Sequence, residues 1–132
     1  MSEDEARRAV ISLWMSKADL ALTAADRELV AGDLSLAVNR VYYAGFYALS
    51  AVLLRDDQEF SSHAGVRAAL HQHLIKSGRV PAALGKFYDQ AFDDRQEADY
   101  AAVADFEEAG VRARIAEARE FVTVLKALLR DK

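Results

Sequence analysis

No cysteine occurs anywhere in the 132 residues. A disulfide framework, a thiolate zinc site and a cysteine nucleophile are therefore excluded, and the lack suits a reducing compartment. Proline occurs once and glycine six times, too seldom for a sandwich or barrel that turns about every ten residues. Long apolar runs are missing as well. The longest, Val41 to Leu54, is fourteen residues between Arg40 and Arg55, too short to cross a bilayer. The first fifteen residues hold three acids and no apolar run, so no signal peptide is expected, and the chain reads as cytoplasmic with no membrane role. An excess of positive charge is also absent: 17 Lys and Arg face 21 Asp and Glu, for a net charge of −4. Binding long nucleic acid by general electrostatics calls for the opposite balance, which leaves room only for a local basic cleft. No helix carries a basic stripe long enough to track a DNA duplex.

What is present is apolar periodicity. Hydrophobic residues make up 52% of the chain, enough for one folded domain of this length, and no repeat or linker divides residues 1–132. Ser2 with Glu5 three residues on marks a helix start. Val10, Leu13, Trp14, Ala18, Ala21 and Ala25 then recur at helical spacing as a buried stripe, ending at Gly32. Asp33 is the expected N-cap of a second helix running to about Leu54. Its apolar and aromatic residues cover nearly every face, which is the pattern of a central helix. Ser62 should cap a third helix, His63 to Lys76, with Val66, Leu70 and Leu74 buried and Gly78 at its end. Pro81 fits the first turn of a fourth, with Leu84, Phe87, Tyr88, Ala91 and Phe92 inward. Asp105 is the expected cap of a last helix whose inner side holds Val111, Ile115, Ala118, Phe121, Val122, Leu125 and Leu128. About five helices with short connections make an all-α, up-and-down bundle.

Several residues break the apolar pattern. Arg40, beside Asn39 in the middle of the central helix, must find an acid or an anion, because an unpaired buried charge is strongly destabilising. An acid from the charged segment Asp93 to Tyr100 would make it a structural ion pair. A phosphate would make it a binding site. Arg95 and Asp99 lie four apart on one helix face, either as an ordinary surface pair or as part of a polar cleft, with Tyr100 next around. Tyr43 shares the face of Asn39 and Arg40, whereas Tyr42 and Phe46 read as core. His63 starts a helix, where the dipole lowers its pKa and favours neutral imidazole. His71 and His73 are two apart and point away from each other, so no metal site is expected, nor any other cofactor. A Gly-rich phosphate loop is absent.

Taken together, Asn39-Arg40-Val41-Tyr42-Tyr43-Ala44-Gly45-Phe46-Tyr47, Ser62-His63-Ala64-Gly65-Val66 and Arg95-Gln96-Glu97-Ala98-Asp99-Tyr100, in that order, resemble the HEPN superfamily (higher eukaryotes and prokaryotes nucleotide-binding domain). Within it the chain is similar to the small stand-alone prokaryotic branch. The resemblance, from about Ala18 to Leu128, implies a bundle of about five helices that forms a homodimer. It also implies a partner, a minimal nucleotidyltransferase in a toxin–antitoxin-like pair, and a nucleotide or RNA ligand. Active members are metal-independent endoribonucleases in which an Arg is followed, after four to six residues, by a His. The His would move a proton at the ribose 2′-OH and the Arg would stabilise the phosphate.

Here Arg95 matches the Arg, but Tyr100 stands where the His would be, and a phenol with a pKa near 10 is a poor base at neutral pH. The run from Arg67 to His73 meets the spacing only by letter count. The leading expectation is a nucleotide- or RNA-binding module, with Arg40, Asn39, Tyr43 and Asp99 around phosphate. Tyr100 in that reading is also a hydroxyl that the partner could modify. A second expectation is a ribonuclease using Arg95 with His63 or Tyr100. A third is a purely structural Arg/Asp network, in which loss of Arg95 unfolds the protein.

Overall fold

The computed structural model describes residues 2–131. Helix α1 spans Glu3–Ala31. The Ser2 side chain accepts from the Glu5 amide at 3.1 Å, and three acids occupy the first turn, where they complement the helix dipole. Gly32 ends α1 in the left-handed region at φ 82°, which costs a glycine nothing. Gly78 closes the third helical segment with the same φ. Asp33 accepts from the Leu36 amide at 3.0 Å and so starts α2, Leu34–Arg55.

Helix α3 spans His63–Ala69, capped by Ser62 through the Gly65 amide. It does not continue as one regular helix to Lys76. Leu70–Ile75 widens into a π-helical segment, yet Leu70 and Leu74 both stay buried. Helix α4, Ala82–Tyr100, follows Pro81, which holds the extended N-cap conformation just outside the helix. Helix α5 spans Glu108–Arg130. Its N-cap is Glu107 and not the expected Asp105. Phe106 packs half-buried against the core, and this anchors the incoming chain two residues later than the capping pattern implied.

Helix α2 is the centre of the bundle and packs against α1, α3, α4 and α5. Ala18, Ala21 and Ala25 of α1 and Ala37, Ala44, Ala48 and Ala51 of α2 are all buried, and such small side chains let helix backbones approach closely. Tyr42, Phe87, Tyr88 and Phe121 fill the volume on the α4–α5 side, with Tyr88 stacked on Phe121 at 5.6 Å. Burying each large side chain stabilises the bundle by roughly 1.5–3 kcal/mol.

The inward stripe of α1 is Met15, Ala18, Leu22, Ala25 and Leu29. Val10 and Leu13 were expected on it but are exposed at 41% and 63%. They occupy the first turns of α1, off that stripe.

Candidate functional site

Three helices meet at one polar place in this apolar bundle. Helix α2 brings Asn39, Arg40, Tyr42, Tyr43 and Phe46. The first residue of α3 is His63. Helix α4 brings Tyr88, Phe92, Arg95 and Asp99. The expected residues Asn39, Arg40, Tyr43, His63, Arg95 and Asp99 are thus gathered together. Tyr100 is not. It sits on the last turn of α4 with 78% of its surface exposed and makes no hydrogen bond to the cluster among the described residues.

Arg95 dominates the geometry. It is only 8% exposed, lying 5.0 Å above the Tyr42 ring and 5.9 Å from the Tyr43 ring. Among the described residues its charge is matched by Asp99 alone, over a long 3.4 Å contact from Nη1. Its Nε is buried with no hydrogen-bond partner, a state that costs about 1–3 kcal/mol. Asp99 is shared, since Asn39 Nδ2 donates to both its oxygens at 3.1 and 3.3 Å. Asn39 Oδ1 in turn accepts from Arg40 Nε at 3.0 Å and Nη2 at 2.7 Å. An acid of the charged segment does reach this place, but it bonds to Asn39 and not to Arg40, as the ion-pair reading required. Arg40 also lies 5.2 Å over the Tyr43 ring, and Arg67 lies 4.2 Å over the Phe92 ring. Three guanidinium groups therefore share one neighbourhood in which Asp99 is the one carboxylate bonded to the cluster among the described residues, which leaves it electropositive.

The His63 ring rests 4.6 Å from Phe46, and its Nδ1 shares a 2.7 Å hydrogen bond with the Tyr42 hydroxyl. Burial, and then the charge of Arg95, push its pKa below the ordinary value. Neutral imidazole was expected here from the helix dipole. The direction is the same, but its causes are desolvation and Arg95. The Nδ1 edge is taken, so Nε2 is the ring atom a ligand can reach.

Burial raises the pKa of the Tyr42 hydroxyl despite the Tyr88 hydrogen bond and the Arg95 charge. Tyr88 is raised further, by burial and by Tyr42. Tyr42 was read as simple core and Tyr88 as part of an apolar stripe. Their rings are core, but their hydroxyls lie 3.5 Å apart and link the bundle interior to His63. The only signal available was that both are Tyr where Phe would pack as well, since a buried hydroxyl needs a partner.

The other two histidines point elsewhere. His71 meets Asp89 at 2.9 Å and His73 meets Asp56 at 2.9 Å. No group of three or more His, Cys, Asp or Glu that could hold a metal occurs among the described residues, and none of their helices is long and apolar enough to cross a membrane.

Residues 11–128 match the family model of the HEPN domain. A UPF0332 protein of Thermotoga maritima is 39% identical over 122 residues, covering 92% of each chain. Two proteins of Methanocaldococcus jannaschii, each named "Putative toxin", are 30% identical. One match covers 69% of this chain and 62% of the relative, and the other 72% and 70%.

Proposed function

The chain belongs to the HEPN domain family, and from that premise and the site geometry we propose that it binds the phosphate of a nucleotide or RNA at Arg95 and Arg40. In this reading it serves as one half of a toxin–antitoxin-like pair with a minimal nucleotidyltransferase. The observation that carries the proposal is the buried Arg95 with its unpaired Nε. Placing a charged donor in the interior without an acceptor makes little sense for stability. It makes sense for a site whose acceptor is an incoming anion, because guanidinium is suited to phosphate. Arg40 adds a second cation, Asn39 and Asp99 hold both arginines in place, and Tyr43 lies beneath them. The names of the two archaeal relatives support the toxin-like context.

A filter-binding assay with labelled single-stranded RNA, run in chelator, tests the proposal. Arg40→Ala should weaken binding about tenfold, as expected for one lost charged contact of roughly 1.5 kcal/mol. The exposed Arg112→Ala should leave it unchanged. Affinity indifferent to Arg40 would refute the proposal.

A second reading, metal-independent cleavage of the same RNA, has one observation in its favour: a neutral histidine beside a buried arginine. For Nε2 to act as a base at a ribose 2′-OH, Nδ1 must carry the hydrogen and donate it to the Tyr42 oxygen. Products ending in a 2′,3′-cyclic phosphate, lost in His63→Ala, are its signature. Intact RNA with wild-type protein limits the site to binding.

A further inference from the structure

Phe46 belongs to two environments. Its ring touches the site, lying 4.6 Å from His63 and 5.9 Å from both Tyr42 and Tyr43. It also lines a cavity of about 620 Å³ between α1, α2 and the connection into α3, within the size range of ligand pockets. Trp14 and Phe60 are the other aromatic walls, and Ser50, Gln58 and Glu59 supply polar atoms. No Lys or Arg lines the cavity among the described residues. The cations stand instead over neighbouring rings and, in the case of Lys17, over the wall ring Trp14. Arg40 and Arg95 flank Tyr43, and the Lys17 ammonium lies 5.2 Å from Trp14 and 5.4 Å from Tyr47. Tyr43, Tyr47 and Trp14 form a continuous row at 5.6 Å spacings.

This division of charge describes its occupant. The cavity offers aromatic faces, neutral polar groups and one carboxylate, so it suits a flat, uncharged ring and repels an anion. The adjoining arginines suit the anion attached to that ring. The geometry points to a nucleobase subsite in this cavity, walled by Trp14, Phe46 and Phe60, for the base that belongs to the phosphate at Arg40 and Arg95. The inference rests on the phosphate-binding reading above and adds the base to it. A free nucleotide and a single-stranded RNA share this chemistry, because stacking on aromatic side chains tolerates any base.

Trp14 is the chain's only tryptophan, so tryptophan fluorescence reports from a wall of this cavity. Wild-type protein is titrated with inorganic phosphate, adenosine 5′-monophosphate and a single-stranded oligoribonucleotide, with calorimetry in parallel. The monophosphate or the oligonucleotide should change Trp14 emission saturably, while inorganic phosphate competes without changing it. A response to the oligonucleotide alone would support the subsite and assign the base to a strand. Phe60 is 44% exposed, so Phe60→Ala should keep the helical circular dichroism signal. It should weaken the responding nucleotide about tenfold and leave phosphate affinity unchanged. Nucleotide binding that calorimetry detects, with silent Trp14 and no effect of Phe60→Ala, would overturn the subsite and leave the phosphate site standing. No binding of any of the three ligands would overturn both.

Discussion

Two clusters of arginine, histidine and aspartate sit along α2, and they handle charge in opposite ways. At the C-terminal end of α2, Asp56 receives Arg55 Nε at 2.7 Å, His73 Nε2 at 2.9 Å and Arg79 Nη1 at 3.3 Å. Arg55 also donates to the Leu128 carbonyl at the end of α5. Three donors converge on one carboxylate, and the cluster ties the ends of α2, the π-helical segment and α5 together. At the other cluster Arg95 keeps an unpaired Nε, and His63 faces a phenol and a guanidinium in place of an acid. The first cluster is complete in itself. The second leaves a buried donor unmatched among the described residues.

That contrast is sharpest in stability. Asp56→Ala would leave Arg55, His73 and Arg79 without their shared acceptor, and should destabilise the fold by about 2–3 kcal/mol without changing RNA affinity. Chemical denaturation with a parallel binding assay checks both halves. Burial alone would raise the Asp56 carboxyl. Hydrogen bonds from Arg55 and His73, with the charges of Arg55 and Arg79, outweigh it and hold the carboxyl below its ordinary value of 3.8. Its contribution is therefore present above that value and disappears as the pH falls through the lowered one.

Tyr42→Phe is a gentler probe of the other cluster. It removes one hydroxyl from between His63 and Tyr88 and should cost about 1 kcal/mol in denaturant unfolding. No change in stability would mean that the Tyr42–His63 bond is idle.

The smallest effect concerns pH. His63 has a lowered pKa in the folded state, so the unfolded chain binds more protons there, and stability rises with pH across the window just below 6.5. A wild-type melting temperature that falls on acidification through that window, less steeply in His63→Gln, is the expected difference. Parallel curves would show that His63 does not titrate differently on folding.

How far the sequence reveals each part depends on the range of the interactions involved. The caps Ser2, Asp33 and Ser62 and the inward residues of α5 are legible because they are set within a few residues along the chain. The π-helical widening at Leu70–Ile75 is not, since an apolar spacing of four suits both geometries there. The cluster on α2, α3 and α4 shows up as polar residues interrupting an apolar helix, but the burial of Arg95 is hidden among exposed neighbours such as Asp93, Gln96 and Glu97. Asp56 escapes notice because its partners come from separate segments. Tyr42 escapes it because a buried ring conceals what its hydroxyl does.

The most direct measurement pairs binding with stability in Arg95→Met, in which an apolar side chain of similar length replaces the guanidinium. A single-stranded oligoribonucleotide is titrated calorimetrically into wild type and variant, and the thermal midpoint of each free protein is recorded. The account predicts that the variant melts close to the wild-type temperature, because the unpaired Nε goes with the guanidinium and Asp99 keeps its bonds from Asn39, and binds RNA more weakly by about 2–5 kcal/mol. A variant that loses stability yet binds RNA as well as wild type would make Arg95 a structural residue and contradict the account.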